Sequence, residues 1–292
     1  MRELTDIDVI RDVLGRHGFH FSKSKGQNFL TAAWVPEEIV ERAGLDENTG
    51  VLEIGPGLGS LTVKLSEAAG KVLAVELDET LMPVLAETLQ GCENTEVLFG
   101  NILKKDVAQL VEENFQGLRP VVCANLPYNV TSPVLAQLLE SRAFRQITVM
   151  VQKEVAQRIC AGAGNKEYSA FSILCQWYAE PELLFDVSPD CFTPRPKVTS
   201  SVLQLTTRPA PPEQVLDEKL FFRIVRAAFN QRRKTLPNAL ASGVGEFTKQ
   251  ELQKIIIEAG FPENIRGEAL SIHDFAQIAN ALTQRGRDYL SV

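Results

Sequence analysis

Asn125-Leu126-Pro127-Tyr128 brings two acceptors and a flat ring together within four residues. The Asn125 side chain offers a carbonyl oxygen. The Leu126 main-chain carbonyl is a second acceptor, biased toward an extended backbone by the proline after it. Tyr128 supplies an aromatic face. Such a set can hold a planar group bearing an NH2, such as the exocyclic amine of adenine. The same four residues also describe a plain strand end with a turn, since Asn and Pro are common turn residues. The apolar run before them, Pro120 to Ala124, reads as a buried parallel strand. In open α/β sheets, ligands sit just beyond the carboxyl ends of strands.

A second motif upstream favours the chemical reading. Val51 to Ile54 is a buried strand that runs into Gly55-Pro56-Gly57-Leu58-Gly59 and then a helix from about Ser60 to Ala68. Glycines Gly55 and Gly57 let the backbone approach a ligand, and the helix N-terminus favours polar or anionic groups. About twenty residues on, the strand Lys71 to Val75 ends in Glu76, an acceptor suited to the ribose hydroxyls of an adenosine-containing cofactor. The loop is Gly-x-Gly-x-Gly, not the Gly-x-Gly-x-x-Gly of dinucleotide sites. That favours S-adenosylmethionine, which has no pyrophosphate to cradle. A third strand, Glu96 to Phe99, ends at Gly100-Asn101. Asn101 is either a hydrogen-bond partner for the cofactor's adenine amine or an ordinary strand-end Asn.

These motifs need a scaffold of alternating strands and helices. The alternation continues through a helix over Pro133 to Glu140, a strand over Ile147 to Val151 and a helix over Gln152 to Cys160. Closing strands follow over Glu182 to Val187 and Ser200 to Leu205. The expected fold is α/β: a doubly wound, Rossmann-like domain over residues 1–207. The proline-rich Arg208–Pro212 then links to a small all-α domain over 208–292. Its helices are expected over Leu216–Phe229, Arg232–Leu240, Lys249–Ala259 and Ile272–Leu282. Between the closing strands, two prolines stiffen Cys191–Val198 and hold Phe192. Phe192 is either a core residue or a second stacking face for a base. Near the N-terminus, residues 4–17 read as an amphipathic helix. His20–Leu30 is either an arm packed by Phe29 and Leu30 or a lid whose lysines reach a phosphate.

Composition narrows the class. The chain has 292 residues, 45% of them hydrophobic and 23% charged, as in an ordinary soluble protein. No apolar run approaches membrane-spanning length and the N-terminus lacks a signal-peptide pattern, so a cytoplasmic protein is expected. Five cysteines without a Cys-x-x-Cys pair speak against a disulfide framework or a zinc site. The net charge of −7 hides an asymmetry, because Arg195 to Leu240 carries +6 and the remainder −13. Arg223, Arg226, Arg232, Arg233 and Lys234 have no carboxylate close by in sequence. They are either a solvated face or a phosphate-binding one.

Gln27-Asn28-Phe29-Leu30, Glu53–Gly59, Asn125–Tyr128 and Phe192–Val198 together resemble the ribosomal RNA adenine N6-dimethyltransferases, in order and spacing over nearly the whole chain. The bacterial small-subunit branch is the most similar. The resemblance implies methyl transfer from S-adenosylmethionine to two adjacent adenosines near the RNA's 3′ end. Asn28, Leu30, Gly55, Glu76, Asn101 and Asn125 would contact the cofactor. Asn125, Leu126 and Tyr128 would hold the base, with Phe192 on its other face. Lys23, Lys25, Lys197 and the five cations above would meet RNA. The partner would be an immature 30S subunit and the enzyme a monomer. The family usually has Asp where Asn101 stands. No metal is needed, because the sulfonium brings its own leaving group. Other readings are a large-subunit enzyme of the antibiotic-resistance type, a DNA adenine methyltransferase (against which Leu126 speaks) and a non-catalytic ribosome-assembly factor.

Overall fold

The computed structural model describes residues 3–19, 27–245 and 247–290, the last four of these by backbone alone. The chain forms two compact units. One comprises Met1–Ala156 with Ala179–Thr207, the other Gln157–Tyr178 with Arg208–Val292.

The first unit opens with α1 (Ile7–Arg16), capped by the Asp6 carboxylate, which accepts the Asp8 and Val9 N–H groups. Short β1 (Phe29–Leu30) and α2 (Trp34–Ala43) follow. Then come β2 (Thr49–Ile54), α3 (Ser60–Ala68), β3 (Lys71–Glu76), α4 (Met82–Thr88), β4 (Thr95–Phe99) and α5 (Val107–Asn114). The second half has β5 (Arg119–Asn125), α6 (Thr131–Ser141), β6 (Gln146–Gln152) and α7 (Lys153–Cys160). After α8 (Ala170–Tyr178) the sheet is completed by β7 (Ala179–Val187) and β9 (Ser200–Thr207). Between those two, β8 (Phe192–Thr193) pairs with β1.

The seven-stranded sheet has the order β4-β3-β2-β5-β6-β9-β7. Strands β2 to β6 are parallel, and β9 is antiparallel to both its neighbours. The chain winds one way from β2 through β3 to β4 and the other way through β5 to β6. The order therefore reverses between β2 and β5, and a crevice opens there at the carboxyl ends. The apolar runs in β2, β5 and β6 are covered on both faces, as parallel strands require. Register sets Leu52 opposite Val122, which brings Gly55 level with Asn125 when continued.

The second unit is helical: the end of α7, α8, α9 (Glu218–Asn230), α10 (Leu236–Gly243), α11 (Lys249–Glu258) and α12 (Ile272–Leu290). Trp177 stacks on Phe221 at 4.3 Å between ring centres, in a core with Tyr168, Ile173, Leu240, Leu252 and Phe275. Two expectations are corrected here. The division at residue 207 leaves 157–178 with the sheet, but Ile173 and Trp177 bury themselves among the C-terminal helices. The helix expected from Arg232 begins only at Leu236, and Arg232 to Lys234 lie in a turn. Pro237 explains the late start, since proline fits a first helical turn but breaks an interior one.

Candidate functional site

Four strand ends of the first unit converge on one cleft. Its lining includes Glu53 within β2, Gly55 and Gly57 after it, Glu76 at the end of β3, Asn101 after β4, and Asn125 to Tyr128 from the last residue of β5 onward. Asn28 and Leu30, flanking and within β1, complete it. The glycine turn is pinned to its neighbour, because the Gly55 N–H donates to the Val75 carbonyl at 2.9 Å. Gly57 has φ +59°, and a Cβ there would stand 3.2 Å from the Phe29 ring. A side chain at Gly57 would therefore be strained and crowded together.

Three acids line the cleft: Glu53, Glu76 and Asp78. Glu76 is buried, and its carboxylate accepts the N–H of Asp78 at 2.8 Å and of Gly57 at 3.3 Å. Burial raises its pKa, and those two N–H groups oppose the rise. Glu53 is 1% exposed, and its Oε2 has no hydrogen-bond partner. Burial pushes its carboxyl up to about 8. The Thr62 hydroxyl lies close enough to offset part of that rise, and Glu76 adds to it. The Thr62 hydroxyl does not complete a hydrogen bond to it.

Asn101 caps the turn after β4, its side-chain oxygen accepting the Leu103 N–H at 2.9 Å. Part of the acceptor capacity expected for a ligand is thus used within the protein. Leu126 is fully buried and donates its N–H to the Met150 carbonyl at 3.1 Å. The Tyr128 hydroxyl is hydrogen-bonded to Ser200 Oγ at 2.7 Å, which fixes one end of the ring. The Gln27 amide donates to the Asp78 carboxylate at 2.7 Å and ties the segment before β1 to the end of β3.

The remaining expected residues lie elsewhere. Phe192 is 4% exposed, does not line the cleft, and packs with Leu30, Val187 and Val202. Its strand pairs with β1, Leu30 opposite Phe192, so it braces a cleft wall from behind. Lys23 and Lys25 fall outside the described residues. Lys197 is exposed on the first unit, and Arg223, Arg226, Arg232, Arg233 and Lys234 belong to the second. The expectation that these five lack a nearby carboxylate fails for Arg232, whose Nε meets Glu268 Oε2 at 2.6 Å. Chain folding brings in an acid 36 residues away. Glu53 enters the sequence reading only as the first residue of the Glu53–Gly59 motif, with no role of its own, although a lone acid between Leu52 and Ile54 is itself a signal, since strands buried on both faces exclude charge.

The cleft has the order of parts that an adenosine cofactor and a flat base would need. Residues 18–284 match the family model for ribosomal RNA adenine dimethylase. The chain belongs to that family. It is 43% identical to the ribosomal RNA small subunit methyltransferase A of Alkaliphilus oremlandii, over 94% of this chain and 96% of the relative. It is 45% identical to the protein of the same name from Streptococcus equi subsp. zooepidemicus, over 97% and 99%. Among solved structures it is similar to a dimethyladenosine transferase from Plasmodium falciparum, with TM-score 0.74 and 25% identity over 88% of this chain and 98% of that one. The 23S rRNA methyltransferase ErmE shares the fold, with TM-score 0.66 and 23% identity over 88% and 100%.

Family membership fits what the cleft offers. An S-adenosylmethionine carries hydroxyls, an adenine and a cationic amino-acid end. The lining includes the Glu76 carboxylate, the turn at Asn101 and a buried Glu53 oxygen that completes no hydrogen bond. Among the described residues, no helix is long and apolar enough to cross a membrane.

Proposed function

We propose that this dimethylase methylates N6 of two adjacent adenosines near the 3′ end of small-subunit ribosomal RNA, acting as a cytoplasmic monomer on a partly assembled subunit. One observation carries the reading: Asn125 to Tyr128 share a single cleft with the glycine turn and Glu76. S-adenosylmethionine, when bound, supplies an activated methyl group with its leaving group attached. The chain's own residues prepare the acceptor. The N6 lone pair is delocalised into the purine ring, so the amine needs orientation more than a strong base. The Asn125 side-chain oxygen and the Leu126 carbonyl accept the two N6–H bonds and draw the nitrogen toward tetrahedral geometry. Orientation of this kind lowers a barrier by up to ~7–11 kcal/mol.

Tyr128 stacks on the extruded base, its ring held by Ser200. Unstacking costs a few kcal/mol, and one aromatic contact returns about 1–3 kcal/mol. Phe192 contributes by bracing Leu30 in this conformation, rather than by facing the base. Asn28, Leu30, Gly55, Gly57, Glu76, Asn101 and Asn125 form the cofactor wall. The exposed cations of the helical unit, with Lys197 and the lysines of the N-terminal segment, contact RNA phosphates.

Mass spectrometry of nucleosides from ribosomal RNA tests this, with primer extension on both subunit RNAs. Deleting the gene is expected to remove dimethyladenosine from the small-subunit RNA, and Asn125→Ala is expected not to restore it. Loss from the large-subunit RNA instead would reassign the substrate. Unchanged dimethyladenosine, together with defective subunits, would leave a binding role in assembly without chemistry.

A further inference from the structure

The Tyr128 ring is tethered two strands away from its own. Asn125 of β5 stands opposite Met150 of β6, and Gln152 of β6 stands opposite Ser200 of β9. Tyr128 reaches Ser200 Oγ at 2.7 Å and so bridges the end of β6. Ser200 is a fixed point. It is fully buried and pairs with Gln152 on one side and Val187 on the other. The Thr199 carbonyl before it accepts the Lys153 N–H at 3.0 Å. Ser201 after it donates to the Asp186 carboxylate at 2.6 Å, which also holds the Lys153 ammonium at 2.5 Å. A buried hydroxyl costs stability unless it is bonded, and among the described residues the Ser200 side chain bonds to Tyr128 alone. Burial raises the Tyr128 pKa and the Ser200 bond opposes the rise, so the bond joins two neutral hydroxyls.

We propose that Ser200 is a positioning residue for the second of the two methyl transfers to one adenine, acting through the Tyr128 ring. This rests on the reading of Asn125 to Tyr128 as the seat of the target base. The amine of an unmodified adenosine has two N–H bonds, and the site offers two acceptors, the Asn125 side-chain oxygen and the Leu126 carbonyl. Both bonds and the ring face together fix its orientation. N6-methyladenosine has one N–H bond left, so one acceptor goes unused and one constraint is lost. The ring face is the constraint that does not weaken between the two steps. A ring without its anchor lets the singly held base tilt, and misplacement of the acceptor costs rate.

The bonds made and broken are the same in both steps. The N6 lone pair forms an N–C bond, the methyl–sulfur bond breaks with its electrons remaining on sulfur, and one N6 proton passes to the solvent. The second step consumes a second molecule of S-adenosylmethionine and the last N6 proton. What differs is how the acceptor is held during the transfer, by two N–H bonds in the first step and by one in the second. Ser200 does not line the cleft, so it acts on the base only through Tyr128. Loss of its hydroxyl is therefore felt most in the second step.

Small subunits from a strain lacking the gene, incubated with excess full-length enzyme and saturating S-adenosylmethionine, report both steps when their nucleosides are quantified by mass spectrometry over time. Ser200→Ala is expected to slow the first transfer about twofold and the second roughly 5- to 10-fold, the size of one neutral hydrogen bond. N6-methyladenosine should then accumulate ahead of N6,N6-dimethyladenosine. Tyr128→Phe keeps the ring face and loses the same bond from its other end, so the same accumulation is expected. The double variant is expected to be no slower than the slower single one, because the two residues share one bond. Calorimetry of Ser200→Ala with S-adenosylmethionine is expected to give an affinity within about twofold of wild type, because Ser200 lies outside the cofactor wall.

Equal slowing of both transfers would make the bond a purely structural one and overturn the proposal, as would a lower melting temperature in Ser200→Ala with an unchanged product ratio. Effects that multiply in the double variant would show two separate roles and overturn it too. Accumulation of the monomethyl product together with weaker donor binding would place the effect at the cofactor wall and overturn it. In each of these cases the wild type still makes dimethyladenosine, and the reading of the cleft stands. A wild type that makes neither methylated nucleoside would overturn both.

Discussion

Glu53 sits between Leu52 and Ile54 in a strand whose every residue is buried. Its position ties the stability of the cofactor-free protein to pH. An unfolded glutamate titrates near 4.5, and the folded one at about 8. Between those values the folded state holds a proton that the unfolded chain has lost. Stability therefore falls as pH rises from about 4.5 to about 8 and levels off above, by roughly 1.4 kcal/mol per unit at most. Urea unfolding of wild type and Glu53→Gln at pH 5, 6, 7 and 8 isolates this contribution, because the other raised acid, Glu76, is common to both. The difference between the two proteins is expected to grow in favour of the variant across that range. A constant difference would mean that Glu53 is ionised in the folded state. At this scale the sequence was partly readable. Asn125, Glu76 and the glycines stood out by type and spacing. Phe192 did not declare its place, because a phenylalanine between prolines can pack inward or face a ligand, and only the pairing of β8 with β1 decides.

The elements were legible where a simple period or composition exposes them. Strands β2, β3, β5 and β6 are short runs of mostly branched apolar residues, and a ligand is expected beyond their carboxyl ends. Helix α8 was missed for a physical reason. Ala170–Tyr178 is apolar on most faces, so it lacks the polar stripe that marks an amphipathic helix. The joint between α9 and α10 was equally hidden, because it depends on two small residues far apart in sequence. A Cβ added at Gly243 would lie 2.4 Å from the Ala227 Cβ. Gly243→Ala is therefore expected to destabilise the helical unit by about 1–3 kcal/mol, the usual cost of overpacking. Ala227→Gly placed on the same chain should recover part of that loss. Denaturant unfolding of the two variants checks it. An unchanged midpoint for Gly243→Ala would show that the helices separate freely.

Over the whole molecule, charge is uneven, +6 over residues 195–240 against a net −7. Folding sorts the basic cluster more finely than sequence does. Arg232 is held by Glu268, whereas Arg226, Arg233 and Lys234 are exposed, and among the described residues none of these three is ion-paired. Binding of small-subunit RNA measured across salt concentrations should separate them. Arg226→Ala with Arg233→Ala is expected to flatten the log–log salt slope by roughly 0.7–0.9 for each charge removed. Arg232→Ala should flatten it less, since Glu268 already offsets that charge. Asn125→Ala should leave the slope intact while abolishing methyl transfer. A wild-type slope in the double variant would mark those arginines as a solvated face.

The chain leaves the sheet after Ala156, returns at Ala179 and leaves again after Thr207. That interleaving sets a schedule for birth on the ribosome. Residues 157–178 emerge early, but the partners of Trp177, from Phe221 to Leu282, are made only later. At synthesis rates of roughly 5–20 residues per second the wait is on the order of 5–20 s. During it, β7 and β9 can join the sheet while α8 presents Ile173 and Trp177 to water. The nascent protein thus passes through a stage with a finished α/β core and a greasy, unclaimed hairpin of chain, the stage at which a chaperone would find a handle.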